Sequence, residues 1–450
     1  MVRLPKAAEP LVAAFSVAFT RPTFQRVAVL ILGAILSLRH RTVTGMLRAV
    51  GPLARGHWSD FHRVLCCRVW SCWPLGKVLA AMVLELIPAD QPVICPVDDT
   101  TPQHKGKKVY GKGCHHDACR STHRHVVWVW GHKWVTLAIN VKFPFASRPW
   151  ALPVLCALYR PEELNVKEGR RHKTPIHLAR QLMAALIHWF PDRKFILLGD
   201  GGYASHELAR FCHRHRRRVT LVSRFYADAN LYEPPPQTCR KGIRGGRPRL
   251  KGRKLAAPSD VVKRSPARRF TVHWYGGKTR QVELISGMGH WYKGGGGLVP
   301  VRWVFVRDLT GTHRDEYFYT TDASLALPQI VSLYTGRWSI EVTFEEVRAH
   351  LGFATPRNRS AKSVLRTAPC LLGLFSVVSL IFARLLGDKP AQPACSPWYA
   401  KTQASFSDAI TAVRRLCWDE VLKQSPKHAG VTKLPRPLRI TLLDHLSRAA

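Results

Sequence analysis

Three acidic positions in the sequence directly follow segments that have the composition of buried strands. Asp98 and Asp99 come after the apolar run VICPV (93–97), and Asp200 comes after FILLG (195–199). Acids at the carboxyl ends of strands are well placed for a functional site, because side chains emerge from the sheet there. Aspartate is also common just after strands, so a role in a turn or a helix cap is the alternative for each acid taken alone.

The segment LYTGRWSIEVTFEEVRAHLGF (333–353) has the periodicity of an amphipathic helix. Its apolar stripe consists of Ile340, Phe344, Val347 and Leu351. If the helix extends back to Tyr334, the opposite face spans roughly 80° at about 100° per residue. That face carries Tyr334, Arg337, Glu341, Glu345 and Arg348. Acids between arginines on one face indicate either a phosphate-binding site or a solvated face with helical ion pairs.

Two aspartates from strands and one glutamate from a later helix suit a site for two divalent cations. Hard cations prefer carboxylate oxygens. Two such ions about 3.5–4 Å apart can activate an attacking oxygen and stabilise a leaving one. Clustered carboxylates repel one another without the metal, so the cluster itself requires a cofactor. The flanking arginines match the oxygens of a phosphate group.

The spacing Tyr334-x2-Arg337-x3-Glu341, followed by Arg348, resembles the signature of the DDE transposases of bacterial insertion sequences, specifically the IS-four type. The last position is Arg348 where that signature has lysine. VDDTTP (97–102) resembles the first acidic motif of the family, in which the acid precedes threonine. This favours Asp99 over Asp98. LLGDGGYAS (197–205) resembles the second motif and indicates Asp200.

The resemblance implies an enzyme that cuts DNA at the ends of an insertion sequence and transfers the strands into target DNA. It implies Mg²⁺, for which Mn²⁺ can substitute, and it assigns the catalytic and metal-binding carboxylates to Asp99, Asp200 and Glu341. The phosphate contacts implied by the same resemblance are those of Tyr334, Arg337 and Arg348. The implied partner is double-stranded DNA, both the terminal inverted repeats of the element and the target, bound by a homodimer.

The alternation of strand and helix predicts an α/β fold class. VICPV (93–97), WVTLAINV (134–141), KFILLGD (194–200) and RVTLVSR (218–224) have strand composition, as does HVVWVW (125–130). Helices are predicted at 24–39, 39–51, 174–190, 205–215 and 406–423, with Thr42 or Thr44 capping the second and Thr174 the third.

The resemblance, which covers roughly 91–386, places these elements in an RNase H-like core interrupted by a β-rich insertion. The residue pattern adds a helical N-terminal domain and a helical C-terminal segment. The predicted domains are 1–90 (helical, DNA-end-binding), 91–225 (first part of the core), 226–315 (basic, β-rich insertion), 316–386 (rest of the core, with the Glu341 helix) and 387–450 (linker and C-terminal helix, a candidate for dimerisation). The family also implies an aromatic residue of the insertion that receives a base flipped out at the cut. The candidates Trp274, Trp291 and Trp303 are left open.

The net charge of +40, from 69 Lys and Arg against 29 Asp and Glu, predicts a polyanionic partner and strongly salt-dependent binding. It does not separate an active enzyme from a catalytically inactive nucleic-acid-binding protein derived from a transposase. The apolar runs 28–39 and 370–386 are predicted to be buried helices rather than membrane spans. A cytoplasmic, nucleoid-associated bacterial protein without a membrane partner is therefore expected.

The segment GKGCHHDACRSTHRH (111–125) offers a second chemistry, because its cysteines and histidines are zinc ligands by type. The two cysteines are separated by four residues, and no second paired cluster follows at the spacing of a zinc finger. The alternative is a basic loop after the first strand that faces DNA. The remaining cysteines are predicted to be mostly free, buried thiols.

Overall fold

The computed structural model describes residues 3–117, 120–122, 124–236, 249–387, 389–395, 398, 400–424 and 429–448. The chain folds into two compact units, and it passes from one to the other several times. The first unit consists of Met1–Pro88, Asp99–Lys173 and Glu341–Ala450. The second consists of Ala89–Asp98 and Thr174–Ile340.

The described strands are β1 (Val93–Thr100), β2 (Gly113–His116), β3 (Trp128–Gly131), β4 (Lys133–Val141), β5 (Trp150–Tyr159), β6 (Phe195–Gly199), β7 (Val219–Arg224), β8 (Leu231–Tyr232), β9 (Arg268–His273), β10 (Thr279–Lys293), β11 (Gly297–Asp308) and β12 (Glu316–Thr320). The described α-helices are α1 (Glu9–Ala13), α2 (Arg21–Leu36), α3 (Val43–Val50), α4 (Trp58–Cys66), α5 (Cys72–Leu84), α6 (Glu162–Lys167), α7 (Pro175–Trp189), α8 (His206–Arg214), α9 (Pro258–Arg264), α10 (Leu327–Gly336), α11 (Ser339–Leu351), α12 (Ala361–Leu386), α13 (Phe406–Gln424), α14 (Ala429–Thr432) and α15 (Arg436–Ser447).

The second unit is built on a mixed sheet. Strands β1, β6 and β7 are parallel neighbours, with Val97 opposite Gly199 and Gly199 opposite Ser223. Strand β12 is antiparallel to β7, and β11 and β10 continue the sheet in antiparallel order. Both β8 and β9 pair with β10. The mixed sheet and its helices confirm the α/β class. The strands of the predicted insertion, β8 to β11, belong to the same sheet, which they join where β11 pairs with β12.

The parallel strands of the second unit are buried because helices cover the sheet. Every residue of β6 is buried, as is typical of a strand covered on both faces. Helix α10 covers one face, where Ile330 and Val331 pack in one apolar core with Leu198 and Val222. This packing positions the C-terminal end of α10 in the same unit as Asp98 of β1 and the end of β6.

The first unit contains the antiparallel pair of β4 and β5, together with the N-terminal and C-terminal helices. Two helices are tied to β5 by hydroxyl groups: Thr343 of α11 donates to the carbonyl of Ala151 at 2.8 Å, and Ser376 of α12 donates to the carbonyl of Pro153 at 2.8 Å. Within the described part of the chain, α12 alone is long and apolar enough to cross a membrane by length and composition. Most of its apolar window is buried inside the protein, as the sequence predicted.

Several predicted helix starts are confirmed at their caps. The side chain of Thr42 accepts from the backbone N–H of Gly45, so Thr42 rather than Thr44 caps α3. Thr174 caps α7, and Nδ1 of His177 accepts a hydrogen bond from the backbone N–H of Thr174. Each cap satisfies a backbone donor that the first turn of the helix leaves unpaired.

Other predictions needed correction. Strand β5 and helix α15 were not predicted, and β3 begins at Trp128 rather than at 125. Part of the predicted Cys/His loop forms β2, which pairs with β3. Residues 237–248 of the predicted basic insertion lie outside the described residues. The division into five domains stays a prediction.

Candidate active site

The two adjacent acids of β1 lie on opposite faces of the strand. We expected β1 to end at Val97, but it continues to Thr100, a buried β-branched residue. Within the second unit, Arg337 Nη1 lies 2.8 Å from Asp98 Oδ2. Within the first unit, Lys133 Nζ lies 3.1 Å from Asp99 Oδ2. Since successive side chains of a strand alternate, Asp98 and Thr100 share one face and Asp99 points to the other.

Asp200 occupies the turn that follows β6. Its Oδ1 accepts hydrogen bonds from the backbone N–H groups of Gly202 at 2.9 Å and Tyr203 at 3.3 Å. These bonds fix the carboxylate at the start of the short 3₁₀ helix Gly201–Tyr203. Its Oδ2 has no hydrogen-bond partner among the residues that the structure describes. One oxygen of Asp200 therefore orients the side chain, and the other is left for a ligand.

Asp98 and Asp200 come directly after the point where pairing between the parallel strands β1 and β6 ends. Val97 lies opposite Gly199 in that register, and each acid is the next residue along its chain. Neighbouring strands are about 4.8 Å apart, so the two acids leave the sheet side by side. An added Cβ at Gly199 would lie 2.7 Å from the Cβ of Tyr203. Only glycine allows the turn after β6 to fold back this closely.

Tyr334 and Arg337 are placed by the end of α10. The ring of Tyr334 stacks on Phe318 with centroids 4.0 Å apart, and the residue is buried. Burial raises the pKa of the Tyr334 hydroxyl, an effect opposed by the positive charge of Arg337 and augmented by Asp200. Asp200 and the guanidinium of Arg337 therefore both act electrostatically on Tyr334 within the second unit. The buried Arg337 guanidinium is held by Asp98.

The helix that carries Glu341 does not extend back to Tyr334, which was the condition for placing all five residues on one helical face. Helix α10 ends at Gly336, and α11 begins at Ser339. The backbone N–H groups of Arg337 and Trp338 bond to carbonyls three residues back, at 3.1 and 3.2 Å, which tightens the turn. Glycine weakens a helix at this point, and the hydroxyl of Ser339 donates to the carbonyl of Gly336 at 2.9 Å.

Glu341 and Arg348 belong to α11 in the first unit. The apolar stripe predicted for this segment is confirmed, since Ile340, Phe344, Val347 and Leu351 are all buried. Glu341 is partly exposed in the first turn, and Arg348 is exposed with its guanidinium donating to the hydroxyl of Thr100. The proposed site residues are thus divided between the two units, with Asp99, Glu341 and Arg348 in the first and Asp200, Tyr334 and Arg337 in the second.

The carboxylates fit a divalent cation in chemical type, because Mg²⁺ and Mn²⁺ take oxygen ligands. The second oxygen of Asp200 also fits a cation, since no donor among the described residues occupies it. The described residues contain no group of three or more His, Cys, Asp or Glu side chains placed to hold a metal ion. The assembly of Asp99, Asp200 and Glu341 around a cation therefore stays a prediction.

The three tryptophans considered for base stacking are buried. The solvent-exposed fractions of the surfaces of Trp274, Trp291 and Trp303 are 9%, 8% and 2%. Trp303 packs on Gly287, where an added Cβ would lie 2.6 Å from the indole ring. The ring of Trp291 packs against the ring of Tyr319, with their centroids 5.6 Å apart. In this structure none of the three presents a ring face to a base, because each one fills the core of the second unit.

The Cys/His segment forms part of a two-stranded ribbon. Cys114 and His116 of β2 are exposed, whereas His115 is buried and faces the opposite side. Cys119 and His123, which also entered the zinc hypothesis, lie outside the described residues. The ten described cysteines are free thiols, as predicted, but most of them are not fully buried.

Sequence reasoning missed two cations beside the acids. Lys133, which pairs with Asp99, stands at the start of β4, and nothing in its local pattern distinguishes it from other surface lysines. Arg224 pairs with Glu316 at 3.0 Å, and its Cδ lies 3.5 Å from a Cβ built at Gly201, directly after Asp200. Both cations offset carboxylate repulsion near the predicted site, and both depend on contacts between residues distant in the sequence.

The family model of the DDE superfamily endonucleases matches residues 14–281 of the chain, which include Asp99 and Asp200 but not Glu341. Among curated proteins none matches the sequence. Among solved structures, the piggyBac transposase in its synaptic complex with hairpin DNA is similar at 12% sequence identity. The similarity covers 97% of this chain and 80% of that chain, with a TM-score of 0.42. At this TM-score the likeness does not show a shared fold.

Proposed function

Because the chain belongs to the family of DDE superfamily endonucleases, we propose that it is a transposase of the IS-four type. In this proposal it cuts DNA at the ends of a bacterial insertion sequence and transfers the strands into target DNA by a cut-and-paste route. The catalytic core is RNase H-like. The observation that carries the proposal is the placement of Asp98 and Asp200, each directly after the last paired residues Val97 and Gly199 of two neighbouring parallel strands, with Arg337 paired to Asp98.

In this proposal Mg²⁺, or Mn²⁺ in its place, is held by Asp99, Asp200 and Glu341. When bound, the cations supply charge to the attacking and leaving oxygens of the phosphodiester. Asp200 is prepared for this role because its Oδ1 is fixed by backbone donors and its Oδ2 is available. Two observations support the assignment: the order of the three acids along the chain, and the spacing Tyr334-x2-Arg337-x3-Glu341 around the third.

The side chains Tyr334, Arg337 and Arg348 are proposed to contact phosphates near the end of the element. A guanidinium presents paired donors that match two phosphate oxygens. Arg348 is exposed and donates to the hydroxyl of Thr100, so it is accessible to a phosphate in the first unit. Arg337 is buried against Asp98, which orients its guanidinium and offsets its charge until a phosphate arrives.

The proposed partner is double-stranded DNA, comprising the terminal inverted repeats and the target. The net charge of +40 supports it, because a polyphosphate neutralises such a surface. A homodimer on DNA, in the nucleoid of a bacterial cytoplasm, follows from the need to join two ends in one event.

The test is incubation of the purified chain with the DNA ends that flank its own locus, with Mg²⁺ and with a chelator. We expect nicking and strand transfer only with the metal. Glu341→Gln keeps the shape of the side chain and removes the charge that holds a cation, so cleavage should be lost while binding of the ends persists. The matched control is Glu345→Gln, one turn further along α11, which should retain most activity.

Loss of cleavage in Glu345→Gln but not in Glu341→Gln would show that the catalytic acid lies one turn away from its predicted position. Metal-independent binding of the ends with no cleavage by the parent chain, at any Mg²⁺ or Mn²⁺ concentration, would instead favour the inactive DNA-binding protein.

A further inference from the structure

The ribbon formed by β2 and β3 in the first unit exposes two tryptophans on one face. Trp128 and Trp130 retain 61% and 59% of their exposure, whereas Val129 between them is buried. The register places Trp130 opposite Cys114 and Trp128 opposite His116. Because residues two apart in a strand lie on the same face, both indoles project to the same side.

These indoles form one wall of an open depression of about 960 Å³ in the first unit. The segment 103–112 also lines this depression, and we name it together with Trp128 and Trp130 the Trp–Lys pocket. Lys112 holds its ammonium 5.3 Å from the centroid of the Trp130 ring. Lys105, Lys107 and Lys108 line the same depression and form no ion pair with any residue that the structure describes.

The one acid that lines the pocket does not cancel this positive charge. Glu168 is paired with Arg160 and also lies 3.1 Å from Arg170. These pairs leave the lysines without a carboxylate partner among the described residues of the pocket. The surface therefore combines flat aromatic faces with unneutralised cations.

The segment 103–112 is fixed to the ribbon of β2 and β3. Gln103 bridges to Gly131, and the backbone N–H of His104 donates to the carbonyl of Trp130 at 2.9 Å. An added Cβ at Gly131 would lie 2.3 Å from the carbonyl oxygen of Pro102, so only glycine allows this approach. Gln103 follows Asp99 by four positions in the chain, which limits their Cα distance to about 14 Å.

We propose that the Trp–Lys pocket binds unpaired nucleotides of the DNA substrate. Bases stack on Trp128 and Trp130, and the lysines of the segment 103–112 contact the phosphates between them. Stacking on aromatic side chains in a positive groove is how proteins hold single strands. A duplex offers phosphates but hides the faces of its bases, so the exposed indoles match a strand end rather than a helix. The inference rests on the proposed function in taking DNA as the substrate, and the pocket's nearness to Asp99 matches the site where cutting frees a strand.

The experiment compares the affinity of the full-length chain for two labelled duplexes, in the presence of a chelator. One duplex is blunt, and the other carries a single-stranded tail of about six nucleotides, within the range of site sizes of such surfaces. We expect the parent to prefer the tailed duplex. Trp130→Ala and Trp128→Ala should each weaken tail binding by about 5- to 150-fold, the range measured for loss of one stacked base. Their affinity for the blunt duplex should not change.

The matched control is Trp58→Ala, because Trp58 lies in the same unit and retains 60% of its exposure. It should keep the preference for the tail. Trp130→Tyr keeps an aromatic face and should retain most of the preference. Thermal unfolding of each variant identifies loss of folding, which exposed indoles are not expected to cause.

Equal affinity of the parent for both duplexes overturns the inference, as does an unchanged tail preference in Trp128→Ala and Trp130→Ala. Equal weakening of both duplexes also overturns it, since the tryptophans then serve general DNA binding or a protein partner. The test needs no cleavage and no metal. A chain that shows the Trp-dependent preference but never cuts would refute the proposed enzyme and leave the pocket's role intact.

Discussion

At the scale of single residues, Asp98 and Asp99 present the sharpest choice in the site. The threonine-preceding motif favours Asp99, which pairs with Lys133. The contacts favour Asp98 as the neighbour of Arg337, on the strand face that also carries Thr100. Within the first unit, the hydroxyl of Thr100 accepts from the guanidinium of Arg348. A local motif cannot decide between these positions, because the partners of a strand residue come from distant parts of the chain.

We predict that Asp99→Asn abolishes cleavage in Mg²⁺ and leaves thermal stability nearly unchanged, because its ion pair with Lys133 is partly exposed and such pairs contribute about 0–1 kcal/mol. Asp98→Asn should instead destabilise the fold measurably, since it removes the charge of a carboxylate that contacts the largely buried Arg337 guanidinium. Cleavage assays and thermal unfolding of both variants measure the two effects. A folded Asp98→Asn that cannot cut, beside an active Asp99→Asn, would transfer the catalytic role to Asp98.

At the scale of elements, the sequence predicted those whose pattern is local. The capped helix α7 and the strand β6 were predicted from their own residues, within a few residues of their observed bounds. Strand β5 was not, because a proline within an apolar run argues against a central strand. The structure accommodates Pro153 where the register with β4 shifts, between Leu137 and Ala138. A bulge of this kind is set by the partner strand and leaves no signal in the strand's own sequence.

The elements that carry the site also include some that were predicted from local pattern and some that were missed. The acids after β6 and within β1 follow apolar runs and were found from the sequence. The break between α10 and α11 was missed, because the apolar stripe continues at helical spacing through Gly336. The exposed tryptophans of β3 were missed for the opposite reason, since a strand with β-branched residues and indoles normally predicts a core strand.

The β2–β3 ribbon should loosen in acid, because two histidines that support it are buried. Burial lowers the pKa of His115 to about 4 and the pKa of His132 to about 4, against an unfolded value of about 6.5. The folded state resists the proton that the unfolded state takes up, so stability is lost as pH falls below 6.5. The loss at pH 5 is about 2 kcal/mol for each residue.

Hydrogen exchange of the amides of β2 and β3 at pH 7 and pH 5, corrected for intrinsic rates, measures this loosening. Protection should fall at pH 5 in the parent and fall less in His115→Gln. His116→Gln is the matched control, because His116 is exposed on the other face of β2 and should behave like the parent. Equal protection at both pH values in the parent would contradict the prediction.

At the scale of the whole molecule, the charge is the property that the sequence alone expresses most directly. The excess of 40 positive charges cannot be neutralised within a chain that has 29 acids. We predict that raising salt from 50 to 200 mM weakens DNA binding by about 10³–10⁵, as for proteins that contact six to ten phosphates. Anisotropy of a labelled duplex across a salt series gives the slope. Lys107→Gln should reduce that slope by about 1 if Lys107 contacts a phosphate, and a flat response would show that the charge serves another partner.

The last prediction concerns the assembly that joins two DNA ends. The sequence suggested α13 as a dimerisation helix, but its apolar residues, among them Ile410 and Val413, are buried within the first unit, where α13 packs against α12, α2 and α15. That face is therefore not available to a second copy, and an interface must use other surfaces or the DNA itself. Because both ends react in one event, we expect a complex of two chains and two ends by light scattering with labelled DNA. Mixing parent and Glu341→Gln chains should then yield complexes in which one end is cut and the other is not. Strand transfer of both ends by a complex that contains a single chain would contradict the dimer.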